Sequence, residues 1–171
     1  VEVIGLSQDR NWAQVNSGEA SGWAATRFLT LEKDYPYLPM ANLSCFGTEP
    51  FWSLRKPQMG RISLDMLGSD ASNWRQNISH RAQGRRDRFS AVGIREDGEI
   101  IVTLLRESCS DGMSDQMFGI ATDVIITGAN PMHLSGCCTL EANYVTTRSV
   151  RLIRPPPFSK VDDPARVLST P

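Results

Sequence analysis

Residues 109–138 constrain this chain more than any other stretch. They read C-S-D-G-M-S-D, then a strand-like run over 118–127, then a Gly-Ala-Asn-Pro turn, and end in H-L-S-G-C-C. Three of the four cysteines lie here, and the fourth, Cys45, stands upstream in C-F-G-T-E-P-F-W. A strand sends neighbouring side chains to opposite faces, so Cys137 and Cys138 are expected to take different partners. Cys109 with Cys137 closes the base of a hairpin, and Cys45 with Cys138 ties the first strand of a domain to its last. That connectivity is the expected one, with the exchanged pairing open. There is no C-x-x-C, and neither His80 nor His133 stands at zinc-ligand spacing from a cysteine pair, so no metal is expected. Disulfides in turn imply an oxidising compartment.

The chain has 171 residues, room for one ordinary domain or for a small module joined to a larger one. Its net charge of −1 gives no global attraction to nucleic acid or acidic membranes. No window approaches the roughly 20 apolar residues of a membrane helix, so no membrane span is expected. The sequence opens on V-E-V-I-G-L without a charged and then apolar leader, and the expectation is export with a signal that these residues do not contain.

Read in order, residues 1–6, 12–15 and 22–29 have strand character, separated by polar and Gly/Ser-rich turns. Residues 31–42, with two prolines and two tyrosines, read as a linker. The main domain follows over 43–144. Residues 45–54 read as one strand interrupted by Pro50, residues 61–67 alternate as a strand, and 69–77 read as a polar loop around Trp74. Residues 78–88 are basic, 89–94 and 99–106 form strands about a Glu-Asp-Gly turn, and 118–127 and 132–140 follow. Residues 145–153 add a possible last strand, and the Pro-rich remainder to 171 reads as an extended arm. No stretch carries sustained helical periodicity, so the fold class is all-β, with a small antiparallel β-barrel or sandwich pinned by two disulfides.

Two resemblances bear on this layout. The pattern V-x-V-x-G followed by W-x-x-V and G-W-A-A-T-R-F-L, over residues 1–29, resembles the C-terminal half of a bacterial SH3-like domain. It implies a partial SH3-like module at 1–30 whose open strand edges seek partners. The main domain is similar to a family of uncharacterised bacterial envelope proteins, on the motifs G-T-E-P-F-W-S at 47–53, C-S-D-G-M-S-D at 109–115 and L-S-G-C-C at 134–138. The combination resembles an alphaproteobacterial arrangement. It implies export to the periplasm or cell envelope and a β-rich fold, and lends no reaction mechanism.

Candidate site residues are few. Asp111 and Asp115 could offer carboxylates to a cation, yet so short a loop supplies too few oxygens for calcium, and an Asx-type turn is the favoured reading. Glu49, beside Phe51 and Trp52, could act as an acid or meet a ligand; a bond to backbone or to an arginine is the structural alternative. Trp52 is either a stacking platform or, in the favoured reading, a core anchor. Arg81, Arg85 and Arg86 belong to a basic segment opposed by Asp87 alone, suited to lipid phosphates or an acidic partner, or else a solvated hairpin. Trp23 is the contact residue expected of the SH3-like strands. There is no G-x-S-x-G and no histidine in a recognisable triad setting. No catalytic residue and no cofactor are therefore expected. The expected function is a non-catalytic, exported binding module for cell-wall glycan (peptidoglycan), peptide or an envelope protein. The alternative is an accessory subunit of a membrane or envelope complex, held by its tail and an open strand edge.

Overall fold

A computed structural model describes residues 1–17, 20–31, 38–141 and 166–169. The main domain is a closed antiparallel barrel of eight strands. These are β5 (Leu43–Thr48), β6 (Phe51–Lys56), β7 (Arg61–Met66), β8 (Ser72–Arg81), β9 (Arg88–Arg95), β10 (Gly98–Leu105), β13 (Ile120–Ile126) and β14 (Met132–Leu140). Each pairs with the next, and β14 returns to pair with β5. The step from β10 to β13 is an excursion carrying two short strands, β11 (Cys109–Ser110) and β12 (Met117–Phe118), which pair with each other.

Period-two alternation sets the inner and outer faces. In β6, Trp52, Leu54 and Lys56 are buried while Phe51, Ser53 and Arg55 are exposed. In β10, Ile100, Val102 and Leu104 are buried. These side chains join Ile62, Leu64, Trp74, Phe89, Val124 and Leu134 in one core, so the barrel is filled by its own residues, as small eight-stranded barrels are. At one end a 3₁₀ turn, Leu38–Met40, inserts Leu38 beneath the strands. There the Lys56 ammonium, fully buried, donates to the Ala41 carbonyl at 3.0 Å and to that of Pro57 at 3.3 Å. Burial lowers its pKa to about 8.

The cysteines obey the same alternation. Cys138 faces inward and is bonded to Cys45, its direct cross-strand partner; Cys137 faces outward and is bonded to Cys109 on the excursion. Phe118 of the excursion then packs edge-to-face on Phe46, with ring centroids 4.8 Å apart.

A second sheet runs β3-β2-β1-β15-β4, from β1 (Glu2–Leu6), β2 (Trp12–Ser17), β3 (Ala20–Ala25), β4 (Thr30–Leu31) and β15 (Arg166–Ser169). Glu2 and Asn16 bond it to the barrel, Glu2 also taking the Leu140 N–H. The Thr139 hydroxyl donates to a Glu2 carboxylate oxygen at 2.5 Å, and the Asn16 amide donates to the Met117 carbonyl at 2.7 Å.

Several boundaries differ from the sequence reading. Residues 45–54 form two paired strands, with Glu49 and Pro50, joined by a cis peptide, in the turn between β5 and β6. The stretch around Trp74 is strand β8, with Trp74 buried on the inner face beside Ile62 and Gly93 despite polar neighbours. The open edge expected at β1 is occupied by β15 from the C-terminal segment, so part of the expected free arm is sheet. The possible strand at 145–153 lies outside the described residues.

The disulfides close loops of different length, 93 residues for Cys45–Cys138 and 28 for Cys109–Cys137. Replacing the first pair by alanine is expected to cost about 4–5 kcal/mol, and the second about 3–4 kcal/mol. Urea unfolding without reductant measures both; an inverted order would show that the seam is not the stronger clasp.

Candidate functional site

The motifs at 47–53 and 134–138 meet at one side chain. Trp52 is buried, and its indole N–H has no hydrogen-bond partner among the described residues. Its ring lies over the inward faces of Gly47 and Gly136. A Cβ at Gly47 would stand 2.7 Å from the Ser135 carbonyl oxygen, and one at Gly136 would stand 2.8 Å from the Trp52 ring and collide with the Phe46 carbonyl. Only glycine fits either place. The third motif is fastened here by Cys109–Cys137 and by the Thr48 hydroxyl, which donates to the Asp111 carbonyl at 3.0 Å. Trp52 therefore does not serve as a contact platform: with 4% of its surface accessible, it is a core anchor between the motifs at 47–53 and 134–138.

The remaining candidates are spread around this anchor without forming one site. Glu49 is exposed in the turn outside β5. Asp111 accepts the Met113 and Ser114 backbone N–H groups at 3.0 and 2.9 Å, which holds its carboxyl below the usual range, and the arrangement is an Asx-type turn. Asp115 is exposed two residues after Met113. Arg85 makes two bonds to Asp87, at 3.0 and 2.7 Å, and pulls that carboxyl down to about 2. Arg81 and Arg86 are exposed near the same hairpin tip.

Trp23 stands in a different setting. In the β2–β3 register Trp12 opposes Ala25 and Gln14 opposes Trp23, so both tryptophans project from one face as diagonal neighbours. Diagonal positions lie about 7–8 Å apart, within reach of a single flat ligand. Trp12 is 47% and Trp23 56% accessible, while the opposite face buries Ala13 against Val3, Val15 and Leu29. By sequence alone Trp12 is only the start of a strand. Its signal was the phase it shares with Trp23 across the Gly/Ser-rich connection, legible only once that pairing is assumed.

A buried acid joins sheet to barrel. Burial raises the Glu2 carboxyl to about 7, against the opposing pull of the Thr139 hydroxyl and the Leu140 N–H. Compared with family models, curated proteins and solved structures, the chain matches none of them.

Two outcomes follow from these contacts. Gly136→Ala is expected to lose about 2–3 kcal/mol in denaturant unfolding, because Trp52 and β5 must move; an unchanged midpoint would mean the contact is slack. For Glu2, the folded chain holds a proton that the unfolded chain releases near 4.5, so stability falls as pH rises from 4.5 to about 7. The full difference is on the order of 3 kcal/mol. Comparing wild type with Glu2→Gln at about pH 5 and about pH 8 isolates it; the variant should gain at the higher pH only.

Proposed function

We propose that this protein is a non-catalytic binding module of the bacterial envelope, exported to the periplasm, whose ligand is cell-wall glycan or peptide held against Trp12 and Trp23. The carrying observation is that the two half-exposed indoles are diagonal neighbours at one end of a hairpin face whose other end, at Asn16, bonds the barrel, while the opposite face is packed. Aromatic rings displayed in this way offer large, stiff, amphipathic contact area at small entropic cost. Two supports come from the barrel. Its interior is occupied by core side chains, so a ligand is met by outer surfaces, and its two disulfides suit an oxidising compartment. The resemblance of residues 1–29 to half of an SH3-like domain points to the same hairpin.

A second reading, an accessory subunit of an envelope complex, draws on the exposed Arg81 and Arg86 at the β8–β9 tip. It draws less on the tail than the sequence suggested, since residues 166–169 pair within the chain's own sheet.

Co-sedimentation with purified peptidoglycan tests the first reading. Trp12→Ala and Trp23→Ala should each weaken retention about tenfold or more at an unchanged melting temperature. Retention that persists in the double variant sinks it, and loss of a co-purifying membrane complex on Arg81→Ser with Arg86→Ser would favour the second.

A further inference from the structure

The barrel carries an arginine pair that its own stability does not call for. Arg61 of β7 and Arg75 of β8 are directly opposed in the antiparallel register, and both are exposed. Side chains so placed have Cβ atoms about 4.5–5.5 Å apart, and like charges there push against the pairing. Among the described residues neither guanidinium has an ion pair to relieve it. Most neutral residues would serve these strands better.

The surroundings give the pair a use. Asn73 precedes Arg75 by two positions on the same outward face, and Ile94 of β9 is the cross-strand partner of Arg75 on its other side. Arg95 closes the end, its guanidinium 4.7 Å from the centre of the Trp74 ring and bound to Asp97 at 2.5 and 3.0 Å. Together these groups line a cleft of about 830 Å³, within the range of small-molecule sites. The lining sets three arginines against two acids, Asp97 held by Arg95 and Glu96 at the turn, a net surplus of one positive charge.

We propose that this cleft binds a phosphate monoester, with Arg61 and Arg75 gripping the phosphate from adjacent strands, Asn73 donating an amide N–H, and Ile94 covering the apolar part of the ligand. A monoester carries about −1.5 to −2 at neutral pH and offers three acceptor oxygens, enough for two guanidiniums on adjacent strands to share, where a carboxylate offers two. The guanidinium fork is the side chain best shaped to hold its oxygens in pairs. The site is separate from the tryptophan face. The N-terminal sheet meets the chain at β14 and β12, whereas the cleft lies on β7, β8 and β9 across the ring of strands.

The test uses the full chain with a hexose phosphate, the unphosphorylated hexose, and phosphatidylcholine vesicles with and without phosphatidic acid, at matched ionic strength. NMR of the arginine Nε–H signals should show saturable shifts at Arg61 and Arg75 with the hexose phosphate or with the phosphatidic acid vesicles, and none with the hexose. Response to the soluble ester identifies a small-molecule ligand; response to vesicles alone identifies a lipid headgroup. Arg61→Gln and Arg75→Gln should each weaken binding about tenfold or more. Without ligand they should melt at or above the wild-type temperature, since each removes one of two repelling charges. Trp12→Ala with Trp23→Ala should leave these shifts intact, so failure at the glycan face is told apart from failure here. Absence of shifts with both phosphate sources, binding unchanged in the double glutamine variant, or variants that melt below wild type would overturn the proposal.

Discussion

Closure of the barrel at the β14–β5 seam is the constraint on which the rest depends. An open sheet of these strands would leave two edges unpaired, and closure removes both. The seam is short, with Cys137, Cys138, Thr139 and Leu140 paired to Phe46, Cys45, Ser44 and Leu43. Adjacent cysteines reinforce it from both sides at once: Cys138 bonds across the seam inside the wall, and Cys137 straps the excursion against the outside. Two neighbouring residues can do both only because a strand alternates its faces.

Trp52 makes the seam compact. Its indole takes the space that side chains at 47 and 136 would fill, so β5, β6 and β14 approach closely around one ring. The excursion then covers the outside of the same strands, with Phe118 on Phe46 and Thr48 bonded to Asp111. The N-terminal sheet uses what remains of this side through Thr139 and Met117. Its contact includes a buried carboxylate, so its strength depends on protonation.

With the interior filled and one flank occupied, the binding proposed for this protein falls to the surfaces left over. Two of them carry chemistry beyond what folding asks: the paired indoles of Trp12 and Trp23, and the opposed guanidiniums of Arg61 and Arg75. Exposed apolar rings and unrelieved like charges both cost the isolated chain something. Costs of that kind are expected where a ligand supplies the missing partner.

The sequence by itself determined the all-β fold class, and it favoured the observed cysteine pairing while leaving the exchanged one open. Alternation over residues 61–67 and the adjacency of Cys137 and Cys138 are local properties that leave few geometric options. It also marked the Asp111 turn, because an Asx turn is made within a few residues. Only the tertiary structure decided the rest, since it depends on contacts between distant segments. Polar neighbours hid the strand character of the Trp74 segment, whose inward indole is explained by β7 and β9. Whether Trp52 is a platform or an anchor turned on glycines at 47 and 136 meeting across the seam. The match of Arg61 to Arg75 and of Trp12 to the strand of Trp23 is a matter of register, and register is set by how whole strands pack rather than by either residue's neighbours.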